Sequence, residues 1–296
     1  MTETSASRRA ASIATVGAVL DRSAELLGAE GVAYPQREAG WFWELAAGLP
    51  AGQAWLAREA RAAGDALRRF DAMVSRRLSG MPFAYAAGQM AFRRLTLAID
   101  DRALIPRPET EGLVELVLQW AEDHRGGWVA DIGTGSGCIA LSLALEGQFD
   151  RVVATEPSPS AAALARANVA RTGLAVEVCE GDLLEPLAND RYRAIVSNPP
   201  YLTDDEWTAL DHAVRAFEPR LALSSGADGL DATRALIAGA AERLEPEGLL
   251  ALEIDERRAA TVRDLAHAAG WERVRIVPDL FGRPRYALMI SRGRMS

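Results

Sequence analysis

After Glu109 the sequence switches repeatedly between two hydrophobic periods, and this alternation limits the possible folds more than any other feature. Short apolar runs predict strands over 128–132, 152–155, 175–178, 194–197 and 249–254. Apolar residues at helical spacing predict helices over 113–121, 138–145, 161–170, 232–244 and 259–268. Strands separated by helices form parallel sheets with both faces covered, so the expected class is α/β with a mostly parallel sheet. Two closing strands, over 274–277 and 286–290, lie too close in sequence for a helical crossover and are expected to pair antiparallel.

The N-terminal third has a different texture. Residues 12–78 read as short amphipathic helices, with Val16, Leu20, Leu26 and Leu27 on one stripe and Trp41, Trp43, Leu45 and Leu49 on a second. A third stripe holds Trp55 and Leu56, and a fourth Leu67, Phe70, Met73 and Val74, with Gly31, Pro35, Pro50, Gly52 and Gly64 between them. This predicts a small helical bundle whose aromatics form the core. Alternation at Leu95, Leu97 and Ile99 predicts a strand over 92–99, pairing with 86–91 as a hairpin. Leu104-Ile105-Pro106-Arg107-Pro108 is a stiff connector, because each proline fixes its own φ and biases its predecessor toward extended backbone. The expected organisation is a helical domain at 1–82, a hairpin linker at 83–108 and an α/β domain at 109–296. Arg8-Arg9 before the run from Ala10 to Leu20 imitates a targeting signal, but the run is rich in Ala, Ser and Thr and continues into Asp21-Arg22, which predicts an ordinary helix.

Composition excludes several chemistries. All 33 basic residues among the 296 are arginine, so mechanisms that need a Schiff-base or phosphate-loop lysine are ruled out. With 41 acidic residues the net charge is −8, which argues against a general nucleic-acid coat. The charge is concentrated after residue 110, where 29 acids face 19 arginines. Cys138 and Cys179 make no disulfide framework, and His124, His212 and His267 lie too far apart to suggest a metal site. No stretch approaches the ~20 apolar residues of a membrane span. The chain is expected to be cytoplasmic and monomeric, without a membrane or a nucleic-acid partner.

Asp131-Ile132-Gly133-Thr134-Gly135-Ser136-Gly137 follows the first strand of the sheet. Glycines allow a sharp turn and close approach to a ligand, and the next helix offers free N–H groups. The dinucleotide fingerprint fails because Cys138 occupies its last glycine position. The G-x-G-x-G spacing, with an aspartate two residues before it, resembles the nucleoside-binding loop of class I S-adenosylmethionine-dependent methyltransferases. Glu156, 23 positions after Gly133, stands where such folds place an acid for the two ribose hydroxyls. Asp182, after the third strand, is a candidate acceptor for the adenine amino group. Asp131 is expected to orient the loop and the methionine end of the cofactor.

Asn198-Pro199-Pro200-Tyr201 follows the strand over 194–197. Two prolines remove two N–H donors and stiffen the turn, leaving carbonyl oxygens facing the cleft. An NH₂ group can donate one hydrogen to Asn198 and the other to the Pro199 carbonyl, which aims its nitrogen for in-line attack. Tyr201 offers a flat face for a planar amide or base. The motif alone leaves adenine in DNA, guanine in RNA and glutamine in protein open as acceptors.

Further segments narrow the choice. Ile105-Pro106-Arg107-Pro108-Glu109-Thr110-Glu111, Phe217-Glu218-Pro219-Arg220-Leu221-Ala222-Leu223, Gly226-Ala227-Asp228-Gly229-Leu230 and Asp279-Leu280-Phe281-Gly282-Arg283 fall in an order that resembles the HemK/PrmC family of protein-(glutamine-N5) methyltransferases. The resemblance implies a class I methyltransferase fold, Rossmann-like with a seven-stranded sheet, and S-adenosyl-L-methionine as cofactor. It implies, as substrate, the glutamine of the Gly-Gly-Gln loop in a class I peptide-chain release factor. The alternatives are a ribosomal-protein glutamine or a nucleic-acid base. By the same resemblance Asp131, Gly133, Thr134, Gly135, Ser136, Gly137, Glu156, Asp182, Leu183 and Asn198 contact the cofactor. Pro108, Glu109, Thr110 and Glu111 wall the substrate cleft with Asn198, Pro199, Pro200 and Tyr201, and the last four are the catalytic set. Three positions depart from the family pattern: Leu183 replaces an aromatic residue, the segment from Glu253 to Arg258 lacks the usual Gly and Gln, and Glu38-Ala39-Gly40 stands for Asp-Ala-Glu.

Overall fold

The computed structural model describes residues 14–187 and 190–293. Arg8-Arg9 and the start of the run after them lie outside the described residues. The chain divides into two compact units, with the boundary between Ala87 and Gly88.

The first unit contains α1 (Val16–Ala29), α2 (Pro35–Ala47), a 3₁₀ turn (Ala54–Ala57), α3 (Gly64–Leu78) and the short α4 (Phe83–Ala87). Thr15 caps α1 by accepting from the Ala18 N–H, and Pro35 occupies the first turn of α2, where its missing donor costs nothing. Leu27, Phe42, Trp43 and Phe70 are buried, and the Trp43 and Phe70 rings meet edge to face at 5.5 Å. Two predicted core aromatics are not core: Trp41 is 40% exposed and Trp55 is 72% exposed, with Leu56 beside it at 79%. The four-residue 3₁₀ turn buries only Ala54 and leaves Trp55 outward, beneath the Arg58 guanidinium. Glu38, in one of the departing positions, pairs with Arg77 at 2.7 Å and so fastens α2 to α3.

The second unit begins with a hairpin, β1 (Gln89–Phe92) and β2 (Leu95–Ala98). The expected strand over 92–99 breaks at Arg93, whose φ of 48° makes the turn, so Phe92 belongs to the first strand. The expected partner segment over 86–91 is shorter as well, since Ala86 and Ala87 are helical. Then come α5 (Pro108–Ala121), β3 (Trp128–Ile132), α6 (Cys138–Glu146), β4 (Arg151–Glu156), α7 (Pro159–Thr172), β5 (Val176–Glu180) and β6 (Tyr192–Ser197). The short α8 (Asp204–Thr208) and α9 (His212–Phe217) precede α10 (Asp231–Arg243), β7 (Leu244–Glu253), α11 (Ala259–Ala268), β8 (Arg273–Pro278) and β9 (Pro284–Ile290).

The sheet order is β5-β4-β3-β6-β7-β9-β8. The five strands from β3 to β7 are parallel, while β9 runs antiparallel to both β7 and β8. This is the expected seven-stranded, mostly parallel α/β sheet, and one apolar cluster fills each face. The closing hairpin inserts β9 beside β7 rather than adding its two strands in sequence order.

One buried polar side chain joins hairpin to sheet. Asn168, on α7, accepts from the Ala98 N–H (2.8 Å) and donates to the carbonyls of Ala98 (3.0 Å) and Ser136 (2.8 Å). Removing it strands one buried donor and two acceptors. Asn168→Ala is therefore expected to lower the stability of the second unit by about 2–4 kcal/mol in urea unfolding. A change below about 0.5 kcal/mol would contradict this account of the hairpin's attachment.

Candidate active site

In open α/β sheets ligands bind beyond the carboxyl ends of the strands, where the strand order reverses. Here that point is β3, which pairs with β4 on one side and β6 on the other. The last aligned pair of β3 and β6 is Ile132 with Ser197, and Ser197 Oγ donates to the Ile132 carbonyl at 2.7 Å. The glycine-rich loop and the Asn198 turn therefore leave the sheet side by side.

The loop's shape rests on positive φ values at Gly133 (70°), Gly135 (55°) and Gly137 (87°). The N–H groups of Gly133 and Thr134 both donate to the Thr155 carbonyl at 2.9 Å, which ties the loop to the end of β4. Asp131 is fully buried beneath it. One of its oxygens accepts from Thr134 Oγ1 (2.5 Å) and the Ala140 N–H (3.1 Å), while the other, Oδ1, has no partner. Burial pushes its pKa up to about 7, against the two hydrogen bonds that lower it. Glu156 closes β4, and its two oxygens accept from the N–H groups of Gly135 (2.9 Å) and Ser158 (3.0 Å). Burial raises its pKa also. Asp182 lies two residues beyond β5 and is exposed. Leu183 takes the left-handed conformation, with φ at 43°, and its carbonyl accepts from Thr155 Oγ1.

On the other side, Asn198 Nδ2 donates to Thr110 Oγ1 at 3.1 Å, and Thr110 Oγ1 donates to Glu253 Oε2 at 2.7 Å. Thr110 sits in the first turn of α5. Its height is set by Tyr286, whose hydroxyl donates to the Glu109 carbonyl at 2.7 Å. Gly112 makes that approach feasible, since a Cβ there would lie 2.2 Å from the tyrosine oxygen. Glu253 is buried at the end of β7, and burial raises its pKa to about 7; Thr110 and the Arg285 and Arg107 cations lower it, while Glu109 raises it. Arg107 forks onto Glu218 at 2.7 and 2.8 Å, joining two motifs 111 residues apart. The segment after Tyr201 is pinched at its base. Leu202 donates to the Leu223 carbonyl and accepts from the Ser225 N–H, so residues 203–223 form a loop with a closed neck. Arg257 and Arg258, in the altered stretch after Glu253, pair with Glu206 at the start of that loop.

Together these loops enclose a cavity of about 460 Å³. Its lining includes Thr110, Gly133, Thr134, Gly135, Ser136, Glu156, Asp182, Leu183, Asn198, Pro199 and Pro200. Pro108, Glu109, Glu111, Asp131, Gly137 and Tyr201 lie outside the lining. Glu111 instead holds the hairpin, accepting from the Arg93 N–H at 2.9 Å. Tyr201 is half-buried, and burial pushes its pKa up to about 12. Glu253 was not singled out as a site residue from the sequence. The available signal was a carboxylate ending the otherwise apolar run Leu249-Leu250-Ala251-Leu252.

The comparisons agree with this geometry. The methyltransferase small domain family matches residues 112–220, and the PrmC N-terminal domain family matches residues 18–88. The chain is 40% identical over 281 residues to the release factor glutamine methyltransferase of Moorella thermoacetica, covering 94% of this chain and 99% of that protein. It is 42% identical over 222 residues to the protein of the same name from Deinococcus radiodurans, covering 75% and 79%. Among solved structures, a methyltransferase from Pyrococcus furiosus superimposes with a TM-score of 0.51 at 20% identity, over 67% of this chain and 88% of that one. That likeness concerns the fold alone.

The buried acids make stability depend on pH with an unusual sign. Asp131 and Glu253 hold protons up to about pH 7, whereas carboxylates in the unfolded chain release them near ~4. The folded state binds more protons between those values, so stability falls as pH rises through that range. A thermal-melt series from about pH 5 to about 8 should show this decline, and Asp131→Asn should remove roughly half of it.

Proposed function

The chain belongs to the release factor glutamine methyltransferase family, and from that premise we propose its reaction and the role of each site residue. It is a methyltransferase that uses S-adenosyl-L-methionine, and the acceptor is the side-chain N5 of the glutamine in the Gly-Gly-Gln loop of a class I peptide-chain release factor. The observation that carries this reading is Asn198, which lines the same cavity as the glycine loop with its amide nitrogen already engaged by Thr110. Its carbonyl is left for an incoming NH₂ group.

The residues present fit the cofactor. The cavity volume falls in the range of small-molecule sites, roughly 300–1,000 Å³. Each Glu156 oxygen accepts one backbone N–H and keeps a lone pair for a ribose hydroxyl. The orphaned Asp131 Oδ1 lies buried beneath the loop, and beyond Gly133 and its two chain neighbours no heavy atom lies within 4 Å of where a Gly133 Cβ would stand. Leu183 gives the adenine an apolar edge to rest on. When bound, the cofactor supplies a methyl carbon activated by a sulfonium. In this reading Gly133, Thr134, Gly135, Ser136, Glu156, Asp182 and Leu183 hold it, while Asp131 and Gly137 shape the loop from behind.

The protein's own work is orientation. A carboxamide nitrogen is a weak nucleophile because its lone pair is delocalised into the carbonyl. Asn198 Oδ1 and the Pro199 carbonyl take its two hydrogens, which fixes the nitrogen and meets the positive charge that grows there. Pro200 keeps the turn stiff, and Tyr201 backs it from outside the cavity lining. No general base with a tuned pKa is required while the nitrogen is attacking, since its proton is lost only after the bond forms.

The helical unit serves as the dock for the protein substrate, supported by the exposed Trp55 and Leu56. We place the reaction in the cytoplasm, with a monomeric enzyme and no nucleic-acid partner; the excess of acidic residues supports the last point, and among the described residues no helix is long and apolar enough to cross a membrane. Incubation with S-adenosylmethionine and a purified release factor should add one methyl group to the loop glutamine, read by mass spectrometry. Asn198→Ala should lower turnover by at least about 100-fold while S-adenosylmethionine affinity by calorimetry changes little. An unmodified glutamine, with cofactor binding intact, would refute the substrate assignment.

A further inference from the structure

We infer that Glu253 is a positioning residue for the methyl acceptor: through Thr110 it dictates which end of the Asn198 carboxamide faces the cleft. The inference rests on the role proposed for Asn198. Its basis is the chain of two bonds from Asn198 Nδ2 to Thr110 Oγ1 (3.1 Å) and from Thr110 Oγ1 to Glu253 Oε2 (2.7 Å).

A threonine hydroxyl has one proton. Once Glu253 is ionised, above about pH 7, its carboxylate accepts the hydrogen bond from that hydroxyl, and Thr110 Oγ1 has only lone pairs left to offer. The carboxamide must then turn its NH₂ to Thr110, which leaves Oδ1 as the end available to an incoming amide. Without an acceptor at position 253, the hydroxyl is free to donate to Asn198 Oδ1 instead. The carboxamide then flips and presents donors to a group that itself needs acceptors.

The register makes the arrangement part of the fold. Ser197 aligns with Leu252 across β6 and β7, so Asn198 and Glu253 are successive neighbours at the strand ends. Thr110 is 2% exposed and Glu253 is 1% exposed, so the bond between them is shielded from water.

The test uses the full-length protein at about pH 8, where Glu253 is ionised. Glu253→Met removes the acceptor and Glu253→Gln keeps a carbonyl one; Thr110→Val removes the hydroxyl and Thr110→Ser keeps it. At saturating S-adenosylmethionine, E253M and T110V are expected to lower kcat by at least about 30-fold with KM for the release factor within about 3-fold. E253Q and T110S are expected to restore most of the loss. The double variant E253M/T110V should be no slower than T110V, because both break one relay. A second readout needs no turnover: the ¹⁵N-labelled side-chain amide of Asn198, identified by its disappearance in N198A. Its resonances should move in E253M and T110V and stay near wild type in T110S. Wild-type kcat in E253M, additive losses in the double variant, or unmoved Asn198 resonances in E253M would each overturn the relay. Should the wild-type protein leave the release factor unmethylated, the functional reading fails, while the amide resonances still decide the relay.

Discussion

Everything in the site depends on the parallel pairing of β3 with β6 in one register. Because Ile132 aligns with Ser197, the residues that follow, Gly133 and Asn198, emerge as neighbours although 65 positions separate them in sequence. A slip of one residue would point Asn198 to the opposite face of the sheet. The register is held by more than ladder bonds. Ser197 Oγ reaches the Ile132 carbonyl, and the apolar residues of both strands are buried on both faces. The glycine-rich loop and the Asn198 turn meet because two hydrophobic strands pair in this one register.

Around that seam the fold accepts an electrostatic penalty. Asp131 and Glu253 are carboxylates with almost no exposed surface, and neither is paired at close range with an arginine. Elsewhere the chain matches acids with guanidinium groups freely, as in Arg93 with Glu146 or Arg107 with Glu218. The two buried carboxylates are held mainly by hydroxyl and amide donors, which fix direction more than they neutralise charge. Such strained ionisation is typical of functional sites. It leaves two buried groups at the site whose charge changes near neutral pH.

Much of this was legible beforehand, and the reasons differ by element. The strands of the parallel sheet announce themselves because burial on both faces demands continuous apolar runs. The glycine loop and the Asn198 turn are legible because few residues other than glycine and proline satisfy their backbone. The remainder depends on contacts between distant residues. Nothing near Asn168 signals that its amide will bridge Ala98 and Ser136, and nothing near Arg107 signals Glu218. Trp41 and Trp55 depart from the expected core for the opposite reason. Helical spacing tells which residues share a face but not whether another element covers it. Arg93 breaks its strand by adopting a backbone conformation that arginine rarely takes, held there through Glu111.

The pinched neck at Leu202 has an architectural consequence. Its two hydrogen bonds bring the ends of residues 203–223 together before that segment does anything else. Extending an already closed loop is cheap, about 0.6 kcal/mol for each doubling of length. The segment contributes Pro219, Leu221 and Ala222 to the cavity wall, yet shares no covalent stretch with the glycine turn. Swapping, lengthening or trimming this segment would therefore reshape one wall of the cavity while leaving the glycine turn in place.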